Sequence, residues 1–275
     1  WGAGGFSEMA STAKEREHFA KTAAELALRH DLDGLDIDWE YPCIAMAGIA
    51  ASPEDRDNFT YLLEVLRLAL DQLPSREGRC PYRLTIAGGG DSYFCRNTDF
   101  QACEEFLDDV LLMSYDLRGG YTCATGHHTN LGQPRNDFSE ASVKKGVRDY
   151  LEAGVPRDKL IIGAAFYSRL WRGVPPAQGG YNQFAKTLGG YGPSYDDLVE
   201  GVLKDPQYTR YWDAEAEAPW LYGDETFISY DDPESLRAKV RYLKEEDLAG
   251  IMFWEYGLAR RHPLVPVLRE ALDEA

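Results

Sequence analysis

The chain has 275 residues, 44% of them hydrophobic and 12% aromatic, which suits a large core and does not suit an acidic disordered tail. Its net charge of −17 repels phosphate, which argues against nucleic acid and anionic membranes as partners and leaves room for a neutral ligand such as a polysaccharide. No apolar run reaches the roughly 18 residues of a membrane span, and no signal peptide is legible at Trp1.

In chain order, residues 12–29 read as a helix, with Phe19, Ala23, Leu26 and Ala27 at helical spacing. Leu32–Tyr41 reads as a strand. Ser52-Pro53-Glu54-Asp55 opens a second helix running to about Gln72, with Ser52 as N-cap and Pro53 at the first helical position. Arg83–Ala87 is a strand that ends at Gly88-Gly89-Gly90, a close turn with no phosphate-binding pattern. A short helix over 99–106 precedes the strand Asp109–Tyr115, and a polar loop runs from Arg118 to Asn136. The helix over 140–153 shows Val143, Val147, Tyr150 and Leu151 on one face and stops at Gly154 and Pro156. Lys159–Tyr167 is the fourth strand. Asp232-Pro233-Glu234 caps a helix reaching about Asp247, Gly250–Tyr256 is the fifth strand, and a final helix covers about 263–274. Between the fourth and fifth strands Trp171–Thr226 has no clean period and is rich in Gly, Pro, Tyr and Trp. It reads as a small α+β insertion whose aromatics, Trp171, Tyr181, Tyr191, Tyr211, Trp212 and Trp220, mostly form their own core, some of them open to a sugar face. The βα alternation implies an α/β fold with a parallel sheet, either doubly wound or a (β/α) barrel.

The sharpest signal is Asp33-Gly34-Leu35-Asp36-Ile37-Asp38-Trp39-Glu40-Tyr41-Pro42. Strand side chains alternate, so Asp36, Asp38 and Glu40 share one face and Leu35, Ile37 and Trp39 the other. Three carboxylates on one face of a buried strand push at least one towards its protonated form, which yields an acid able to donate near neutral pH. Glu40 has the longest reach and lies at the strand's C-terminal end. A solvated acidic strand is the plain alternative. A metal site is the weaker one, because hard cations draw oxygen ligands from several segments. The five cysteines (Cys43, Cys80, Cys95, Cys103 and Cys123) are odd in number and lack a C-x-x-C pair, so ordinary thiols are the simplest reading. His127-His128 are adjacent, point apart, and read as loop rather than metal ligands.

The acidic segment resembles the D-x-x-D-x-D-x-E signature of glycoside hydrolase family 18, the chitinases and their relatives. Further segments resemble the family in order: Met113-Ser114-Tyr115-Asp116 its M-x-Y-D, Gly126–Leu131 the loop after its sixth strand, and Gly163–Arg169 its G-x-P-F-Y-G-R. Tyr230–Ser235 resembles the re-entry after its insertion, and Gly250–Gly257 its eighth strand. Ala165 and Ser168 stand where the family usually has Pro and Gly. The resemblance implies a (β/α)8 TIM barrel, residues 1–170 and 227–275, with the α+β insertion 171–226 between strands seven and eight. It also implies retaining, substrate-assisted cleavage of β-1,4 bonds beside N-acetylglucosamine. Glu40 would be general acid/base. Asp38 would orient the acetamido group and stabilise the oxazolinium ion, with Asp36 sharing its charge and Asp33 structural. Tyr115 would hydrogen-bond the acetamido oxygen and Trp254 would floor the reacting sugar. Met113, Asp116, Tyr167, Arg169 and Tyr41 would line the substrate site. The resemblance implies no metal or cofactor, a monomer, a secreted location, and an N-acetylglucosamine-containing saccharide as partner. An endo-β-N-acetylglucosaminidase of N-glycans, a peptidoglycan-directed relative and a chitin-binding lectin are the alternatives; such lectins commonly lose the acid at the position of Glu40.

Trp1–Ala10 resembles the stretch just after the family's third strand, so strands one, two and most of three are expected to be absent from this chain. About 220 residues lie outside the insertion, against about 250 for a bare barrel, which agrees with a fragment of a longer protein.

Overall fold

A computed structural model describes residues 4–134, 137 and 139–274. Trp1, Gly2 and Ala3 of the N-terminal stretch, and Arg135 and Asn136 at the end of the polar loop, lie outside the described residues.

The elements are α1 (Phe6–Ala10), α2 (Ala13–Arg29), β1 (Gly34–Ile37), α3 (Asp55–Asp71), β2 (Arg83–Gly89), α4 (Ser92–Arg96), α5 (Phe100–Cys103), β3 (Asp109–Met113), α6 (Val143–Ala153) and β4 (Leu160–Ala165). A second sheet follows with β5 (Tyr167–Arg172), β6 (Gly190–Ser194), α7 (Tyr195–Glu200), β7 (Thr209–Asp213), β8 (Ala218–Gly223) and β9 (Thr226–Ser229). The chain closes with α8 (Pro233–Glu245), β10 (Gly250–Trp254) and α9 (Val265–Asp273). Hydrogen bonding orders one sheet β1-β2-β3-β4-β10 and the other β6-β5-β9-β8-β7. β1 pairs parallel with β2, Asp36 opposite Thr85, whereas the second sheet pairs antiparallel.

The chain packs as two units, one running to Leu112 with Arg148–Ile161, the other Met113–Val147 with the residues from Ile162. In the first, α3 buries Phe59, Leu62, Leu63, Leu66 and Leu70, a stripe at helical spacing. Trp39 lies in this core, stacked on Phe6 at 5.5 Å and edge-on to Phe59 at 5.4 Å. In the second, Ala164, Phe166, Leu236, Val240, Leu264 and Leu268 form one cluster, and Trp171, Tyr181, Trp220 and Phe227 form the core of the antiparallel sheet. The α8 start is the expected one: Asp232 caps it, with Ser235 completing a reciprocal capping box and Pro233 in the first turn.

Several expectations shift. The first strand ends at Ile37, four residues short of Tyr41. Ser52 does not cap α3, which begins at Asp55. The Asp55 carboxylate turns inward, fully buried, and accepts from Ser7 Oγ (2.7 Å), Cys43 N–H (3.1 Å) and Ser52 N–H (2.8 Å). Those three donors are worth more than a solvated place in the first helical turn. Gly88 and Gly89 lie inside β2 rather than in a turn. A Cβ on Gly88 would meet the Tyr150 hydroxyl at 2.2 Å and the Phe94 ring at 2.6 Å, so these rings lie where side chains would.

Candidate active site

The acidic segment keeps its alternation beyond the end of β1. Ile37 and Trp39 are buried, Asp36 and Asp38 are exposed and Glu40 is half-buried. The acids therefore share a side, but not on a buried strand. The Thr85 hydroxyl, opposite Asp36 in register, donates to Asp36. Asp36 and Asp38 share a hydrogen bond, and partial desolvation, followed by the charges of Asp36 and Glu40, pushes the Asp38 carboxyl up to about 6. The Asp38 carboxyl thus keeps its proton above the usual carboxylate range, beside two further acids. The Glu40–Tyr41 peptide bond is cis. Tyr41 sits edge-on to Phe94 at 5.9 Å and against Gly89, whose missing side chain leaves the ring its place. Asp33 points away and pairs with Arg76 (3.1 Å) and Arg79 (3.3 Å).

In the second unit Asp116 is the hub. It follows β3 in a left-handed conformation, φ 56°. Its carboxylate accepts from the Tyr167 hydroxyl (2.8 Å) and from the Arg169 guanidinium through Nε (2.6 Å) and Nη2 (2.5 Å), a forked pair. Burial alone would raise the Asp116 carboxyl; His128 and Arg169 outweigh it and hold it well below the ordinary carboxylate range. Burial, then the adjacent Asp116 charge, pushes the Tyr167 phenol up, so it stays a donor. Arg169 is buried and stacks on the Tyr191 ring at 3.8 Å. The Tyr115 hydroxyl donates to Met252 Sδ at 3.8 Å, and its ring meets Tyr167 edge-on at 6.1 Å. Met113 is half-buried at the end of β3. Trp254 ends β10 with 56% of its surface exposed, while its carbonyl accepts the Phe166 N–H at 2.8 Å. An exposed indole held by its backbone is an apolar plate of the kind that a sugar ring's C–H face covers.

Tyr167 and Arg169 stand on β5, the first strand of the antiparallel sheet, and not on a continuation of the fourth strand. Phe166 makes the break: its N–H goes to Trp254 and its carbonyl accepts from Tyr195 at 3.0 Å. The strand expected over Gly250–Tyr256 ends at Trp254, and Tyr256 lies in a 3₁₀ turn past it. The two histidines do diverge. His127 packs on Tyr181 (5.0 Å) and Trp220 (5.5 Å), whereas His128 lies beside Asp116 and Tyr167. His128, Thr85 and Tyr191 are the contacts that sequence reasoning missed. Adjacency of the two histidines was the only signal for the first, and no signal exists for the others without the strand pairing.

The profile described as Glycosyl hydrolases family 18 matches residues 1–259. Chitinase A1 of Niallia circulans is 36% identical over 97% of this chain and 40% of that protein. Chitinase B of Serratia marcescens is 30% identical over 91% of this chain and 59% of its own length. The chain therefore spans about half the length of these relatives. Among solved structures, a family 18 N-acetylglucosaminidase from Paenibacillus barengoltzii is 49% identical with a TM-score of 0.96, covering 99% of this chain and 80% of that one.

Proposed function

The chain belongs to the family 18 glycosyl hydrolases; its five-stranded sheet with helices and an α+β insertion matches their (β/α)8-barrel fold, the barrel not being closed among the described residues, and from that premise we propose that it hydrolyses β-1,4 bonds in N-acetylglucosamine polymers. Glu40 protonates the leaving oxygen and later activates water. The substrate's own acetamido oxygen is the nucleophile, with retention through an oxazolinium ion. Asp38 carries the acetamido N–H and, with Asp36, the developing positive charge. Tyr115 binds the acetamido oxygen and Trp254 stacks under the sugar, while Met113, Asp116, Tyr167, Arg169 and Tyr41 hold the substrate.

The observation that carries this reading is the Asp36–Asp38 pair beside Glu40. In that pair the Asp38 carboxyl is pushed up to about 6, so this neighbour of the acid changes charge state within the working range of such chemistry. The retained Glu40 favours an enzyme over a lectin. No described helix is long and apolar enough to cross a membrane, and a secreted enzyme on a neutral polymer agrees with the acidic surface.

The test is a digest of N-acetylglucosamine tetra- and hexasaccharides read by mass spectrometry, with Glu40→Gln beside the parent. Cleavage by the parent alone is the expected result, with the variant still binding the oligosaccharide because the amide keeps the shape and loses the acidic proton. Equal loss of binding and rate would remove Glu40 from its role. The 49% identity to an N-acetylglucosaminidase favours one second reading, release of single sugars from chain ends. A product ladder dominated by the monosaccharide would select it, and one dominated by disaccharides or larger would reject it.

A further inference from the structure

We propose that the buried Lys239–Asp231 ion pair is a positioning device for the Asp116 cluster, acting through Thr129 and Ala165. The inference deepens the functional reading above and rests on it only for its kinetic arm.

Both side chains are fully buried, 0% exposed, with Nζ 2.6 Å from Oδ2. Such a pair is a poor stabiliser, since two desolvated charges rarely outperform apolar side chains of the same volume. What it supplies is direction. Asp231 Oδ2 also accepts the Ala165 N–H (3.0 Å) and the Thr129 hydroxyl (3.0 Å), and Oδ1 accepts from Ser235 (2.7 Å). Lys239 donates to the same Thr129 oxygen at 2.6 Å. Two charges therefore seize one hydroxyl and one strand-end amide.

Both captured groups adjoin the candidate site. Ala165 is the last residue of β4, two before Tyr167. Thr129 follows His128, whose carbonyl accepts the Leu117 N–H at 3.0 Å and whose Nδ1 lies 3.4 Å from the Asp116 backbone nitrogen and 3.7 Å from its carboxylate. These contacts flank Asp116, whose left-handed backbone sets the carboxylate against Tyr167 and Arg169. The end of β3 is tied to β4 as well, with Ser114 Oγ donating to the Gly163 carbonyl (3.0 Å) and accepting its N–H (2.8 Å). Loop 126–131 and the β4 end are thus anchored to one buried charge pair. The tyrosine, aspartate and arginine of the cluster inherit their placement from it.

The test uses the whole chain, in the double variant Lys239→Met/Asp231→Leu and separately in Thr129→Val, which keeps the ion pair and cuts only its link to the loop. The readout is amide hydrogen exchange at Leu117, whose N–H is held by the His128 carbonyl, against Leu221 and Ile228 in the antiparallel sheet. Leu117 exchange is expected to rise about tenfold in both variants with the reference amides unchanged. With an active parent, kcat falls by a similar factor while KM holds within about twofold. Unchanged Leu117 exchange in Thr129→Val overturns the proposal, whatever happens to melting temperature, and leaves the pair a purely structural contact. Should the double variant not fold, Thr129→Val decides alone. An inactive parent would count against the proposed hydrolysis and leave the exchange result standing.

Discussion

Asp38 and Asp116 are two carboxyls displaced in opposite directions, and each makes its own prediction. Asp38 is raised from 3.8 to about 6 by partial desolvation and then by Asp36 and Glu40. Between those values the folded chain binds more protons than the unfolded one, so stability falls as pH rises through that window. Asp38→Asn is expected to flatten that slope in urea unfolding across the same pH range, and a carbon-detected titration of the parent should place the carboxyl near 6. Asp116 is depressed, so its contribution is complete at neutral pH and is lost only as pH falls below the ordinary carboxylate range. Asp116→Asn leaves the buried Arg169 guanidinium without its anion and is expected to cost about 2–4 kcal/mol in chemical denaturation. At this scale the acids were legible, because a period of two and charge repulsion are local facts. Asp55 was legible only as part of a helix opening, and folding turns it inward onto Ser7, Cys43 and Ser52.

Helices and strands with a clean apolar period were readable to within a few residues, as α2, α3, α6 and α8 show. Termini set by distant partners were not. β1 is paired with β2 only over Gly34–Ile37, while β2 itself runs on to Gly89, so the strand stops where this ladder ends even though the residue pattern runs on. The glycines of β2 look like a turn in one dimension. In three they make room for Phe94, Tyr150 and Tyr41, and the Tyr150 hydroxyl donates to the Gly89 carbonyl at 2.8 Å. Gly88→Ala is accordingly expected to cost about 1–3 kcal/mol by overpacking, read as a lower urea midpoint, whereas alanine at the open Gly190 should not shift that midpoint through a clash. The antiparallel sheet was unreadable strand by strand. Its core is built from scattered rings, Trp171, Tyr181, Trp220 and Phe227, and no short window contains a period.

Over the whole molecule the net charge of −17 is a repulsion that salt screens. Raising sodium chloride from about 10 mM to about 0.2 M shortens the Debye length from about 30 Å to under 10 Å and is expected to raise the melting temperature. A fall would mean that local ion pairs outweigh the net repulsion. The α/β class, the order of the five strands of the first sheet and the family were determined by the sequence alone, because alternating periodicities and a row of acids are properties of neighbouring residues. Tertiary structure decided which groups those acids and their partners meet. Asp36 faces Thr85, Asp116 gathers Tyr167, Arg169 and His128, and Asp231 finds Lys239 in the core. Charge states and conformations at these places depend on desolvation and on hydrogen bonds between residues far apart in the chain, and neither exists until the chain has folded.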